Sequence, residues 1–209
     1  MKHPSMDSTR RRLLHTGLTA PLWLPALLPA RAHAQDPAAL LKDGGLVLAM
    51  RHALAPGSFD PPQFKLGDCS TQRNLSDEGR EQARRIGAWF AQHKLRPVRV
   101  RSSPWCRCID TATLAFGSTE TWAALGSPRG ASEGTAAAQN SHNAQTLSQL
   151  RQALVAASAR RGRFEVWVSH MFVLADLVQQ NTASGEALLL RASTASPGSI
   201  QVLARLQLS

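Results

Sequence analysis

Gly45-Leu46-Val47-Leu48-Ala49-Met50-Arg51-His52 is a short apolar run that ends in two basic residues. The length of the run, and the glycine that precedes it, predict a buried β-strand. In open α/β sheets, side chains at the carboxyl end of a strand face the crevice in which ligands bind. Arg51 and His52 are therefore the first candidates for a functional site.

Residues 1–34 have the features of an export signal. The segment Thr9-Arg10-Arg11-Arg12-Leu13-Leu14-His15 resembles a twin-arginine motif, a mostly apolar stretch follows over 18–28, and Ala32-His33-Ala34 forms a cleavage site. The alternative is an N-terminal membrane anchor, but three prolines interrupt the short apolar stretch. We expect cleavage after Ala34, periplasmic or secreted localisation, and no stable membrane insertion afterwards. The motif leaves open whether export follows the twin-arginine or the general secretory route.

The remaining segment, 35–209, has a length typical of one domain. The whole chain carries a formal charge of +10. Without the signal, 19 basic and 13 acidic residues leave about +6. This excess favours anionic ligands. The chain lacks the lysine-rich tails and the aromatic–basic alternation of nucleic-acid-binding proteins. We therefore expect no nucleic-acid partner, and the sequence does not indicate an oligomeric state.

Strand and helix patterns alternate along 35–209, which predicts an α/β sandwich. A loop rich in Pro and Gly covers 55–68, and a second long loop or small cap covers 118–143. The predicted helices cover 76–93, a segment from Ser103-Pro104 onward, a segment from about 145 onward, and 171–179. The predicted strands cover 45–50, 98–102, 164–168, 187–191 and 200–206, the last two as edge or antiparallel strands.

Two further segments place basic residues where they could join Arg51 and His52. Arg107 follows the turn Ser102-Ser103-Pro104, and His170 ends the apolar run 164–168. Phosphate-ester chemistry needs cationic donors around the phosphoryl oxygens and a nucleophile in line with the leaving oxygen. Arginine provides a planar fork of donors, and a neutral imidazole is a competent nucleophile near neutral pH.

With these motifs in order, the chain resembles the histidine phosphatase superfamily, also called phosphoglycerate-mutase-like. Four segments carry the resemblance, namely Arg51-His52-Ala53, Arg73-Asn74-Leu75-Ser76-Asp77-Glu78-Gly79, Ser102-Ser103-Pro104-Trp105-Cys106-Arg107, and Val168-Ser169-His170. The resemblance implies a three-layer α/β/α sandwich with a mostly parallel central sheet.

The resemblance also implies the role of each site residue. His52 would be the nucleophile that forms a phosphohistidine, and Arg51, Arg107 and His170 would hold the phosphoryl oxygens. Arg73 would help to bind substrate. The implied protein is a phosphomonoesterase for a small phosphorylated substrate that needs no metal and no cofactor. The alternative is a non-catalytic module of the same fold that binds phosphate or another anion.

The general acid that protonates the leaving oxygen has no clear counterpart in this sequence. Glu133 and Glu120 lie in the variable loop where many superfamily members carry this residue, and Asp176 is another candidate.

The chain has three cysteines, and this odd count allows one disulfide from Cys69 to the helix that holds Cys106 and Cys108. The sequence leaves open which of these two is the partner.

Overall fold

The structure, a computed structural model, describes residues 36–127, 136–196 and 198–208, with the side chains of 136–139, 141 and 142 left aside. The predicted export signal and Glu133 lie outside the described residues. The five helices of the described chain are α1 (Pro37–Asp43), α2 (Asp77–Gln92), α3 (Cys106–Phe116), α4 (Ala136–Ser158) and α5 (Met171–Val178). The strands are β1 (Leu46–Arg51), β2 (Arg99–Ser102), β3 (Glu120–Thr121), β4 (Phe164–Ser169), β5 (Glu186–Ala192) and β6 (Ile200–Gln207).

One six-stranded sheet organises the domain, in the order β3-β2-β4-β1-β5-β6. The pairs β3–β2, β2–β4 and β4–β1 are parallel, while β5 joins β1 and β6 joins β5 in antiparallel fashion. Strands β1 and β4 are almost fully buried, as expected for central parallel strands that helices cover on both faces. The predicted mostly parallel sheet with antiparallel final strands is confirmed.

Helices cover both faces of the sheet and bury two separate apolar clusters. On one face, Leu48 and Met50 of β1 pack with Ile86 and Phe90 of α2. On the other face, Val47 of β1 belongs to the cluster formed with α4 and α5. Alternate β1 side chains thus enter opposite clusters, which follows from the two-residue period of a strand. The predicted three-layer sandwich is confirmed.

The structure corrects several element boundaries. Helix α1 was not predicted, although Asp36 caps it by accepting a hydrogen bond from the Ala38 backbone N–H and Pro37 occupies its first turn. Helix α3 begins at Cys106 instead of Ser103-Pro104, with Trp105 as its N-cap.

Helix α4 begins at Ala136, well before 145, because the alanine-rich segment there supports helix without an amphipathic period. Between α3 and α4 lie β3 and a short 3-10 turn, Ala123–Leu125, that the predicted loop did not include.

The prediction for α2 is accurate because its signals are local. Ser76 is the N-cap, and its Oγ accepts a hydrogen bond from the Gly79 backbone N–H at 3.0 Å. Asp77 and Glu78 lie in the first turn, where negative charge is favourable.

In the described part of the chain, no helix has both the length and the apolar character of a membrane span.

Candidate active site

Three neighbouring parallel strands deliver the candidate residues to one edge of the sheet. Strand β1 ends at Arg51 and β4 ends at Ser169, and these two residues are paired in register. His52 and His170 follow directly, so their rings lie side by side with centroids 5.7 Å apart. On the other side of β4, the chain leaves β2 through Ser103 and enters α3, which carries Arg107. The topology therefore brings together residues more than a hundred positions apart in the sequence.

His52 is held as a neutral imidazole with a defined tautomer. Its side chain is 2% exposed, and its Nδ1 lies 2.7 Å from the carbonyl oxygen of Ala53. Because a carbonyl only accepts, Nδ1 carries the proton and Nε2 keeps its lone pair. Burial, together with the positive charges of Arg107, Arg73 and Arg51, lowers the pKa of His52 from 6.5 to about 3.

His170 joins Arg107 to Ser103. The Nη2 of Arg107 lies 3.4 Å from Nδ1 of His170, and Nε2 of His170 lies 2.8 Å from Oγ of Ser103. Since a guanidinium only donates, Nδ1 accepts and the Nε2–H donates to the serine hydroxyl. Burial, followed by the charge of Arg107, lowers the pKa of His170 well below its ordinary value, so this imidazole is also neutral.

Arg51 and Arg73 complete a cluster of three guanidinium groups. Arg51 donates from Nη1 to the carbonyl oxygen of Thr182 at 3.1 Å, and Arg73 donates from Nη1 to that of Ala55 at 2.7 Å. Burial and the nearby charge of Arg107 lower the pKa of both arginines. The Nε–H groups of Arg73 and Arg107 are buried and find no acceptor in the described part of the chain. An anion in the cleft would relieve the repulsion between these charges.

Asp60 is a site residue that the sequence analysis missed. Its carboxylate accepts hydrogen bonds from Nη1 of Arg107 at 2.7 Å and from Nη2 at 3.2 Å, the bidentate geometry of a strong ion pair. It also accepts from the Arg73 backbone N–H at 3.0 Å and from Nε1 of Trp105 at 3.3 Å. Asp60 lies in the irregular loop 55–68, whose Pro-rich sequence has no periodicity that could indicate an inward-facing carboxylate. Three guanidinium groups and one carboxylate leave two positive charges uncompensated, which suits a phosphate dianion.

A disulfide between Cys69 and Cys106 ties this loop to the start of α3. The structure therefore decides between the two partners that the sequence allowed. Cys108 faces away from Cys69 and is buried, with its Sγ 3.6 Å from the carbonyl oxygen of Ser169. Burial raises the pKa of Cys108 to about 12, so it remains a thiol. The bridge fixes the backbone next to Arg107, while Cys108 packs behind His170.

The assembled residues line an open cleft of about 980 Å³. All five predicted site residues contribute to it. The lining consists of Arg51, His52, Gly57, Ser58, Phe59, Asp60, Pro61, Pro62, Phe64, Leu66, Arg73, Arg107, Ser127, His170, Met171 and Phe172.

Two of the three candidate general acids lie away from this cleft. Glu120 is exposed on β3 and pairs with Arg99 at 3.5 Å, beside a second cavity that Lys94 and Arg96 also line. Asp176 is exposed on α5 and is not part of the cleft lining. Neither carboxylate lines the cleft, because its element directs it elsewhere, and the general acid stays unassigned. Glu133 lies outside the described residues.

Comparisons with known proteins agree with this architecture. Residues 48–126 match the sequence profile of the histidine phosphatase superfamily (branch 1). No curated protein sequence matches the chain.

Among solved structures, a phosphoserine phosphatase mutant from Entamoeba histolytica in complex with phosphoserine shares 13% identity. The match covers 77% of this chain and 95% of that one, with a TM-score of 0.53. The protein histidine phosphatase SixA in complex with tungstate shares 17% identity over 77% and 96% of the two chains, with a TM-score of 0.50. A mycobacterial glucosyl-3-phosphoglycerate phosphatase in complex with VO3 shares 17% identity over 75% and 97%, also with a TM-score of 0.50.

The match to the superfamily profile covers Arg51, His52, Arg73 and Arg107, and the solved structures share the fold that brings His170 to the same sheet edge. The chain therefore resembles the histidine phosphatase superfamily over residues 48–126, and its fold is similar to that of solved phosphatases.

Proposed function

We propose that this protein is a phosphomonoesterase that hydrolyses a phosphate ester through a phosphohistidine intermediate on His52. The observation that carries the proposal is the hydrogen bond from Nδ1 of His52 to the Ala53 carbonyl. This bond leaves Nε2 unprotonated in a cleft that contains three guanidinium groups. The unprotonated Nε2 can act as the nucleophile, and the guanidinium groups beside it can stabilise the charge of a transferred phosphoryl group.

The proposed reaction has two steps. First, Nε2 of His52 bonds to phosphorus while the bond from phosphorus to the ester oxygen breaks, and the leaving oxygen takes up a proton from solvent water in the open cleft. Then a water molecule attacks phosphorus, the P–N bond breaks, and inorganic phosphate leaves with His52 again neutral. Arg51, Arg73 and Arg107 stabilise the charge on the phosphoryl oxygens in both steps. The dianion raises the pKa of His170, so that its Nδ1 takes up a proton and donates to a phosphoryl oxygen.

The structural neighbours support the proposed activity without indicating the substrate. Their names refer to a protein phosphohistidine, phosphoserine and a phosphorylated glycerate glycoside, which are three different leaving groups. What such proteins share with this chain is the fold, and the phosphoryl group is the part common to their substrates. The leaving group must therefore be recognised by residues outside the shared core of the site.

The decisive experiment measures phosphate release from an activated aryl phosphate between pH 4 and 8, with chelator and without added metal. We expect turnover in the wild-type protein and none in His52→Ala. His93→Ala is the matched control, because His93 is the C-cap of α2, lies outside the cleft lining and bonds through its ring Nδ1 to the Trp89 carbonyl. Saturable phosphate binding without turnover would instead support the non-catalytic anion-binding module. Turnover that is lost with chelator would overturn the metal-independent mechanism.

We also propose that the protein is exported and that residues 1–34 are removed. The support is the arginine motif, the apolar stretch and the cleavage site described above. Expression of the full chain in a bacterium, followed by N-terminal sequencing of the periplasmic fraction, tests this proposal. A mature chain that begins at Gln35 is the expected result, and an intact N-terminus would contradict it.

A further inference from the structure

The mouth of the cleft is apolar although its floor is cationic. Phe59 and Leu66 are the most exposed of the large apolar side chains in the described chain, at 71% and 54%. Both line the cleft, as do Met171 and Phe172 at the start of α5. We call these four residues the apolar rim. Exposed apolar side chains that gather around a binding cleft, instead of being scattered singly, indicate a contact surface for a ligand.

The loop that carries Phe59 and Leu66 is anchored directly after Phe59 and on both sides of Leu66. Asp60 binds Arg107, Phe64 stacks on Trp105 at 5.5 Å between ring centroids, and Cys69 is bridged to Cys106. Phe64 lines the cleft and also packs against the core, so it ties the loop to the domain. The exposure of Phe59 and Leu66 thus follows from a fixed backbone, and a ligand would meet a preformed rim.

The polar side chains of the cleft are suited to phosphate and poorly suited to a polyol. Among the described lining residues, the uncharged hydrogen-bonding side chains other than His52 and His170 are Ser58 and Ser127. The Asp60 carboxylate already accepts four hydrogen bonds. A sugar or glycerol moiety would need several hydroxyl partners to offset the loss of water. An apolar group would need none.

From this distribution we infer that the cleft takes monophosphates of amphiphiles, with the phosphate on the arginine cluster and an alkyl or aryl group against the apolar rim. The inference rests on the proposed function, since it identifies the leaving-group side of the same site. A cleft of about 980 Å³ has room for such a group beside the phosphate.

Calorimetric titration with n-alkylphosphonates tests the inference independently of turnover, because these ligands are not hydrolysed. We expect the dissociation constant to fall about twofold for each added methylene, or about 30-fold from methyl- to hexylphosphonate. This is half the free energy of full burial, because the rim is open to solvent. n-Propylphosphonate should bind at least severalfold more tightly than 2,3-dihydroxypropylphosphonate, which has the same chain length with two hydroxyl groups.

The double substitution Phe59→Ser/Leu66→Ser should reduce the hexyl-to-methyl ratio to about fivefold or less. Val155→Ser is the matched control, since Val155 is 51% exposed on α4 and outside the cleft, and it should keep the wild-type ratio. A flat chain-length series in the wild-type protein, or tighter binding of the dihydroxypropyl ligand, would overturn the inference. Retention of the wild-type ratio in the double variant would also overturn it.

The outcomes also separate this inference from the proposed function. If the dissociation constants do not change with chain length, but the protein still hydrolyses aryl phosphate through His52, only the inference about the apolar rim is overturned. A steep series, in a protein without His52-dependent hydrolysis, would overturn only the phosphatase. If no phosphonate binds and no aryl phosphate is hydrolysed, both fail.

Discussion

Asp60 and Arg107 form a bidentate ion pair across 47 positions of sequence, with N–O distances of 2.7 and 3.2 Å. Their side chains are 12% and 4% exposed, so solvent screens the pair only weakly. The contact holds the guanidinium in the cleft and at the same time anchors the loop that carries the apolar rim. One ion pair therefore connects the arginine-lined floor of the cleft to its mouth.

We expect Asp60→Asn to destabilise the protein by about 3 kcal/mol, because it leaves a buried guanidinium with a neutral partner beside two other arginines. Asp110→Asn is the matched control. It removes the Arg80–Asp110 pair, whose side chains are 38% and 37% exposed, and should cost about 1 kcal/mol or less. Urea denaturation of the two variants measures the difference. Added phosphate should stabilise Asp60→Asn more than the wild type, and equal losses in the two variants would contradict the prediction.

We expect Arg107→Lys to lower kcat/KM for an aryl phosphate about 100-fold or more. Lysine keeps the charge but cannot form two parallel hydrogen bonds to the phosphoryl oxygens or to Asp60. Steady-state kinetics on the variant measures the loss, with Arg80→Lys as a control outside the cleft. A value for Arg107→Lys within a fewfold of wild type would show that the assignment of the phosphate site is wrong.

Stability of the ligand-free protein should decrease as the pH falls below 6.5. The folded-state pKa of His52 is about 3, and that of His170 is also lowered, whereas in the unfolded chain both titrate near 6.5. Between these values the unfolded state binds more protons, so acid favours unfolding by as much as about 1.4 kcal/mol per pH unit for each histidine. Well above pH 6.5 both histidines are unprotonated in the folded and in the unfolded state, so the pH dependence vanishes.

Urea denaturation at pH 7, 6, 5.5 and 5 tests this pH dependence, in a range above the ordinary titration of most carboxylates. His52→Asn should show a smaller loss between pH 6.5 and 5, because it removes one of the two groups. If the stability of the wild-type protein is constant over that range, the prediction that both histidines are buried in the neutral form is wrong.

Reduction of the Cys69–Cys106 bridge should destabilise the protein by about 3 kcal/mol. The bridge closes a 37-residue segment and so restricts the unfolded chain. Cys69→Ser should show the same loss of stability, and its melting temperature should no longer respond to reductant. Cys108→Ser should retain the full response, because Cys108 is a free thiol. If Cys108→Ser abolished the response and Cys69→Ser did not, the pairing would be wrong.

Much of the site could be predicted from sequence because its residues lie at the ends of regular elements. Arg51-His52 and His170 each follow an apolar strand, and Arg107 follows the turn into a helix. The capping signals of α2 are equally local, and the helix begins where Ser76 predicts. The start of α4 was misplaced because the alanines after position 135 have helical propensity but no apolar stripe.

The sequence by itself determined the alternation of strands and helices and the five candidate residues that meet in the cleft, because periodicity and short motifs report local backbone geometry. Only the tertiary structure decided that Asp60 binds Arg107, that Cys69 pairs with Cys106, and that Phe59 and Leu66 face the cleft. These contacts involve an irregular loop and residues far apart in the chain. No local pattern encodes them, since they depend on the parallel strand order that brings distant segments to one edge of the sheet.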